Sequence, residues 1–194
     1  MSVTIFDRHL PIDRYDRSQL YQQFMALAAA TQGVFVETAL NWHFSGSNKV
    51  VKEIYWRGFP CSLWIEHDWI VHTSLVIEMS SHLRCEIRFN NVYGGVSGVP
   101  IMGPPRVESD LHDQTLIAIL PETAYWQLVL AQEPFALTFS RARLALATYR
   151  FYPHQFYLEA LDYLTAIAER LERAAESPLP VLDAVNRIRL PWST

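Results

Sequence analysis

The feature that most constrains the fold is a period of two in hydrophobicity that runs from Val34 to Asn90. Alternating apolar and polar residues, enriched in β-branched and aromatic types, are typical of consecutive strands with one buried face. The segment from Leu83 to Phe89 shows the pattern most clearly, because its odd positions are apolar and its even positions are charged. The pattern predicts an antiparallel meander, whose other strands cover Val50 to Trp56, Cys61 to Ile65 and Val71 to Met79.

A helix is predicted in front of this meander. Asp16 and Gln19 have the spacing of a capping box, in which the first side chain accepts a hydrogen bond from the helix N-terminus. The residues that follow form one apolar stripe at helical spacing: Leu20, Phe24, Leu27, Ala28 and Thr31. Gly33 stands where a left-handed residue ends many helices.

The order of elements becomes mixed after the meander. Thr115 to Leu120 is predicted as a strand, and Pro121 opens a short helix over Glu122 to Gln132. Phe135 to Ser140 and Arg143 to Arg150 are predicted to form a hairpin.

The strongest helical pattern lies near the end of the chain and begins after Pro153. Glu169 and Arg173 form an i,i+4 pair on its polar side. Its apolar stripe predicts one long buried face: Phe156, Ala160, Leu161, Leu164, Ile167, Ala168 and Leu171.

Together these elements predict a single α+β domain over residues 1–194. It has an N-terminal helix, an antiparallel meander, a second strand group with a short helix, and a long C-terminal helix packed on the sheet. The chain order resembles that of the helix-grip proteins, although the first helix departs from their strand-first order. The resemblance implies a curved antiparallel sheet around a long final helix, with an apolar cavity between them.

Composition and charge narrow the function classes. Hydrophobic residues make up 50% and charged residues 19% of the chain, which is typical of a globular protein. The net charge of −4 argues against nucleic acid or an anionic membrane as a partner. No apolar run approaches the ~18 residues of a membrane span, and the N-terminus lacks the apolar core of a signal peptide. We therefore expect a cytoplasmic protein, with Cys61 and Cys85 as reduced, packed thiols and with no cofactor.

Residues 89–105 hold four of the seven glycines and three of the eleven prolines. The stretch lacks the lysine of a phosphate-binding P-loop, and Val96 and Val99 stand where a dinucleotide fingerprint and a nucleophile elbow need glycine. It is interpreted as a long surface loop, in which at least one of three glycines has positive φ: Gly94, Gly95 and Gly98.

Three polar residues alternate just beyond this stretch. In an extended segment Glu108, Asp110 and His112 would share one face and could hold a divalent metal. This set supports the hypothesis of a metal-dependent hydrolase, in which the metal activates water. The alternative interpretation is a solvated polar turn.

Aromatic residues crowd the meander and the entry to the last helix. Five of them are candidate ligand-binding residues: Trp42, Trp56, Tyr149, Tyr152 and Phe156. Aromatic side chains fill cores, line apolar pockets and anchor interfaces. Because no complete catalytic set is found, the leading hypothesis is a non-enzymatic binding or assembly module that self-associates as a homodimer or binds a protein partner. The second hypothesis is a carrier of a small apolar molecule between the sheet and the last helix.

Overall fold

The computed structural model describes residues 4–13, 16–39, 47–67, 71–78, 86–96, 99–109, 131–140 and 142–176. Three helices lie in these ranges: α1 (Ile5–Arg8), α2 (Arg17–Thr31) and α3 (His154–Glu176). Eight strands lie there as well: β1 (Val34–Ala39), β2 (Ser47–Trp56), β3 (Phe59–His67), β4 (Val71–Glu78), β5 (Glu86–Val96), β6 (Val99–Ser109), β7 (Phe135–Ser140) and β8 (Arg143–Thr148).

The eight strands form a sheet in the order β1-β2-β3-β4-β8-β7-β5-β6. Every neighbouring pair in it is antiparallel. Strands β1 to β4 form an antiparallel meander, as predicted. The prediction that Leu83 to Phe89 continues this meander was wrong, because β5 pairs with β7 and β6, and β8 lies beside β4. The β7–β8 hairpin is confirmed at the predicted position. The fold class is therefore α+β, as predicted. The strand predicted at Thr115 to Leu120 and most of the helix predicted at Glu122 to Gln132 lie outside the described residues.

One face of the sheet is covered by the helices. Helix α2 packs on β1 and β2 and against α3, which packs on β2, β4 and β8. Side chains at alternating strand positions point into this layer because successive residues of a strand face opposite sides. The central strands contribute these buried residues: Cys61, Leu63, Thr73, Leu75, Ile77, Leu137, Phe139, Leu144, Leu146 and Thr148.

Helix α3 supplies the other half of the core. It begins directly after Pro153, and every residue of its predicted stripe is buried. Glu169 and Arg173 pair at 3.9 Å on its outer side. Fully burying a large aliphatic or aromatic side chain contributes about 1.5–3 kcal/mol, so this stripe anchors the helix to the sheet.

The short helix α1 was not predicted. The Thr4 hydroxyl caps it by accepting from the Asp7 backbone N–H at 3.2 Å, while the Asp7 carboxylate accepts from the Thr4 N–H at 2.9 Å. The Thr4 hydroxyl also donates to the Asp7 carboxylate at 2.6 Å. This bond, followed by the one from the Thr4 backbone N–H, holds the pKa of Asp7 below its ordinary value. The reciprocal arrangement is a capping box closed by aspartate in place of the usual glutamate or glutamine.

A β-bulge in β2 reverses which side chains face the helices. The register with β3 shifts between Val51 and Ile54, and Glu53 has a positive φ of 60°. Before the bulge Val51 is buried, and after it Ile54 is buried, whereas uninterrupted alternation would have turned position 54 outward. The same shift leaves Tyr55 exposed and turns Trp56 toward α3.

The glycine-rich segment is a correction to the sequence analysis. Gly94 and Gly95 lie in strand β5, which pairs with β6 in a long hairpin, so the prediction of a loop was wrong for these residues. Gly98 lies outside the described residues. The β5–β6 register shifts twice, between Asn90 and Val92 and between Val92 and Gly95. Strand β6 is at the sheet edge, where proline's missing N–H costs no ladder hydrogen bond.

The end of α2 is a second correction. The left-handed residue is Gln32, with φ 56° and ψ 23°, rather than Gly33. Glycine is needed at position 33 for a different reason: a Cβ atom there would lie 2.9 Å from Ile54 Cγ1 and 3.0 Å from the Lys52 carbonyl oxygen. The connection from α2 into β1 thus runs tightly against the bulged part of β2.

We expect Gly33→Ala and Gln32→Gly to change stability in opposite directions. The added Cβ at position 33 meets backbone and core atoms and lowers the free energy of unfolding by about 1–3 kcal/mol. Glycine at position 32 removes the strain of the left-handed conformation, although it also gives the unfolded chain more freedom. The net effect raises the free energy of unfolding by about 0.5–1 kcal/mol. Chemical denaturation of both variants measures the effect, and a stabilising Gly33→Ala contradicts the close approach.

Candidate functional site

Two of the predicted ligand-binding aromatics lie together inside the core. The rings of Tyr152 and Phe156 stack with centroids 4.2 Å apart, and both residues are buried. The Phe6 ring lies 5.4 Å from Phe156 and 5.6 Å from Phe135, so α1, α3 and β7 meet at this point. These aromatics fill the layer between α3 and the sheet, and whether they also contact a ligand stays a prediction.

The other predicted aromatics lie apart from this pair. The half-buried Trp56 donates its indole N–H to Asp162 Oδ1 at 2.9 Å. Arg57 reaches the same oxygen at 2.9 Å, so the β2–β3 turn is tied to the middle of α3. Tyr149 is half-buried in the bend between β8 and α3. Trp42 lies outside the described residues.

A group of hydroxyls is buried under the start of α3. The Tyr157 hydroxyl accepts from the Tyr152 backbone N–H at 3.2 Å and hydrogen bonds with Thr73 and Thr148. The two threonines, on neighbouring strands β4 and β8, also hydrogen bond with each other. Buried polar groups stabilise a fold only when they are paired, as these are. The group fixes α3 over the centre of the sheet.

Burial makes several ionisable groups resist ionisation. It raises the pKa of Tyr157 and of Tyr163 above the ordinary value for tyrosine. It does the same for the pKa of Tyr152, with the Glu133 carboxylate adding to the effect. Burial also raises the pKa of the Cys61 thiol to about 12, which makes this thiol a poor nucleophile at neutral pH. These groups are structural rather than reactive.

The charged groups of the described residues form local ion pairs. Glu159 on α3 accepts from His9 at 3.0 Å and pairs with Arg8 at 3.1 Å, which joins the end of α1 to α3. Among the residues that the structure describes, no three His, Cys, Asp or Glu side chains come together as a metal site. Glu108 lies in β6 opposite Arg88. Asp110 and His112 lie outside the described residues, so the predicted metal site remains untested.

A surface that the sequence analysis did not identify lies along the β1 edge of the sheet. Tyr21 and Met25, one helical turn apart on α2, are 46% and 47% exposed. The Tyr21 ring packs edge-on against Phe35 of β1, with centroids 5.2 Å apart. Tyr21, Met25, Phe35 and the outer edge of β1 are called the edge surface below. The available signal was that α2 has apolar residues on both of its sides.

The Tyr21 ring is exposed but held in place by a chain of ring contacts. Phe35 contacts Phe24 at 5.4 Å, and Phe24 contacts the buried Phe151 at 5.2 Å. The edge surface is therefore continuous with the aromatic core. An aromatic side chain that is already ordered loses little conformational entropy when it binds, which is typical of interface anchors.

The two edges of the sheet differ in how they are protected. Strand β6 contains Pro100, Pro104 and Pro105 and pairs irregularly with β5. Strand β1 has no proline and pairs with β2 in six consecutive, regular steps. Prolines and bulges are common devices against unwanted strand addition. Of the two described edge strands, β1 is the one that has neither a proline nor a bulge.

The comparisons with known proteins bear on the fold alone. No protein-family model matches the sequence, and no curated protein matches it. Among solved structures, the chain is similar to the crystal structure of the mycobacterial trehalose monomycolate transport factor A, TtfA. The TM-score is 0.57 at 14% identity, and the match covers 84% of this chain and 99% of that one. The two chains therefore share a fold.

No helix among the described residues has the length and apolar character needed to cross a membrane.

We expect stability to fall as pH rises above about 10, the ordinary pKa of tyrosine. Above that pH the unfolded chain releases phenolic protons that the folded protein retains on Tyr152, Tyr157 and Tyr163. Each such group makes the free energy of unfolding fall by about a further 1.4 kcal/mol per pH unit. Denaturant unfolding between pH 9 and 11.5 measures it.

The control for this prediction compares two variants. In Tyr157→Phe the free energy of unfolding falls less steeply with pH, by about 1.4 kcal/mol per pH unit. Tyr55→Phe changes this slope little because Tyr55 is 70% exposed. Equal slopes in the two variants contradict the assignment to buried hydroxyls.

Proposed function

We propose that this protein is a non-enzymatic binding module that associates with a partner through the edge surface. The observation that carries the proposal is the exposed and ordered apolar pair of Tyr21 and Met25, next to an edge strand that has neither a proline nor a bulge. Exposed apolar patches of this kind mark interaction sites more often than isolated apolar residues do. The non-enzymatic part is supported by the buried Cys61 thiol, whose pKa is raised, and by the ion pairs of Glu159 with Arg8 and of Asp162 with Arg57.

A second candidate function is the carriage of an apolar or amphipathic molecule. It is favoured by the fold shared with TtfA, which is named as a transport factor for trehalose monomycolate. In the described layer the rings of Tyr152 and Phe156 stack on each other and are buried. We place the ligand-binding site of this second candidate at the edge surface as well, because that surface is apolar and exposed.

We expect a photoreactive benzophenone side chain at position 25 to form adducts when the protein is made in the organism that encodes it. A bound partner places C–H bonds within reach of this position. Immunoblotting after irradiation measures the adducts as a shift to higher mass.

The matched control places the same side chain at Met102, which is 40% exposed on the opposite edge strand β6. The proposed function predicts at least several-fold more adduct at position 25 than at position 102. Equal yields at the two positions, or no adduct at position 25, contradict it.

For the carrier, we expect native mass spectrometry of protein purified without detergent to show a species heavier than the 22.4 kDa chain. The excess mass should belong to an amphipathic molecule, and it should disappear after treatment with a lipid-binding resin. Protein that carries no excess mass before the resin treatment argues against carriage.

A further inference from the structure

We propose that the partner at the edge surface is a second copy of this chain, joined by antiparallel pairing of β1 with β1 of the other copy. This inference rests on the proposed function, because it names the occupant of the same surface. The two sheets would become one continuous sheet, with the α2 helices of both copies packing across the two-fold axis on its helix-covered face.

Strand pairing is favoured by the geometry of β1. It is the last strand at one edge of the described sheet, and its six residues pair with β2 without a bulge. A regular edge strand presents a row of backbone donors and acceptors that another strand can use. The opposite edge is interrupted by three prolines and two register shifts. Pairing between two molecules is therefore directed to β1.

Charge favours a second copy as the occupant. Around a two-fold axis the same patch meets itself, so a charged patch would place like charges together. Helix α2 has no charged residue from Ser18 to Thr31, and Glu37 of β1 is 3.1 Å from Lys49 of β2. By contrast, α3 exposes Glu169, Arg170 and Arg173. Of these two helices, α2 is the one that can face its own copy without repulsion.

The size of the surface indicates a weak dimer. At ordinary rises per residue, α2 is about 22 Å long and β1 is about 20 Å long. Side by side they cover roughly 500 Å² per copy, or roughly 1,000 Å² in total, which is near the lower limit for a specific interface. We therefore expect a dissociation constant in roughly the micromolar range, so that association depends on concentration.

Sedimentation velocity from about 1 to 200 μM tests the inference. The mean mass should rise from 22.4 kDa toward twice that value as concentration increases. Met25→Glu places two like charges opposite each other across the two-fold axis. We expect it to raise the dissociation constant of the dimer at least tenfold. Met102→Glu, of similar exposure on β6, should associate like the unaltered protein. Far-UV circular dichroism confirms that each variant is folded.

Hydrogen exchange adds a readout specific to strand pairing and independent of any substitution. The amides of Val34 to Ala39 should exchange several-fold more slowly at 200 μM than at 1 μM, while those of β6 should not change. Dimers without this protection overturn the pairing of β1. A monomer at 200 μM, or equal effects of Met25→Glu and Met102→Glu, overturns the second copy as partner.

The two levels of the proposal fail in different ways. A monomeric protein that still forms photoadducts at position 25 overturns the second copy while the proposed function stands. A protein that forms no adduct at position 25 and remains monomeric overturns both.

Discussion

The burial of one face of α3 against the sheet is the interaction on which the rest of the structure depends. Its apolar stripe lies over β2, β4 and β8, which belong to different parts of the chain. Because a strand pair alone is at best marginally stable in water, the central pairing of β4 with β8 depends on this shared cover. Helices α1 and α2 then pack against α3 rather than on the sheet alone.

Polar contacts set the position of this apolar layer. The hydroxyls of Tyr157, Thr73 and Thr148 hydrogen bond to one another directly beneath α3. On the outer side of α3, Asp162 accepts from the Trp56 indole and pairs with Arg57. Apolar packing is non-directional and tolerates sliding, whereas hydrogen bonds between buried groups require one geometry. Trp56, Tyr152 and Phe156 thus contribute to this packing, and ligand contact at these residues stays a prediction.

The edge surface follows from the same arrangement. Since α3 occupies the centre of the sheet, α2 lies over β1 and β2 near the edge, with one side packed inward and the other exposed. The proposal of a binding module rests on the surface of this chain. A surface made by a helix and an adjacent edge strand suits a partner that adds a strand.

The sequence by itself determined the local elements. These are the cap of α2, where Asp16 accepts from the Gln19 backbone N–H at 3.0 Å, the stripe of α3 and the β7–β8 hairpin. Helical and strand periodicity depend on neighbours a few residues apart, so a single sequence displays them. Only the tertiary structure decided that β8 lies between β4 and β7, and that the glycine-rich segment is a hairpin rather than a loop. Pairing between distant segments has no local signature, and the β2 bulge reverses which residues face inward without a marker such as glycine. Helical spacing also predicted the covered face of α2, whose stripe is buried, but it could not show that Tyr21 and Met25 lie beside an edge strand.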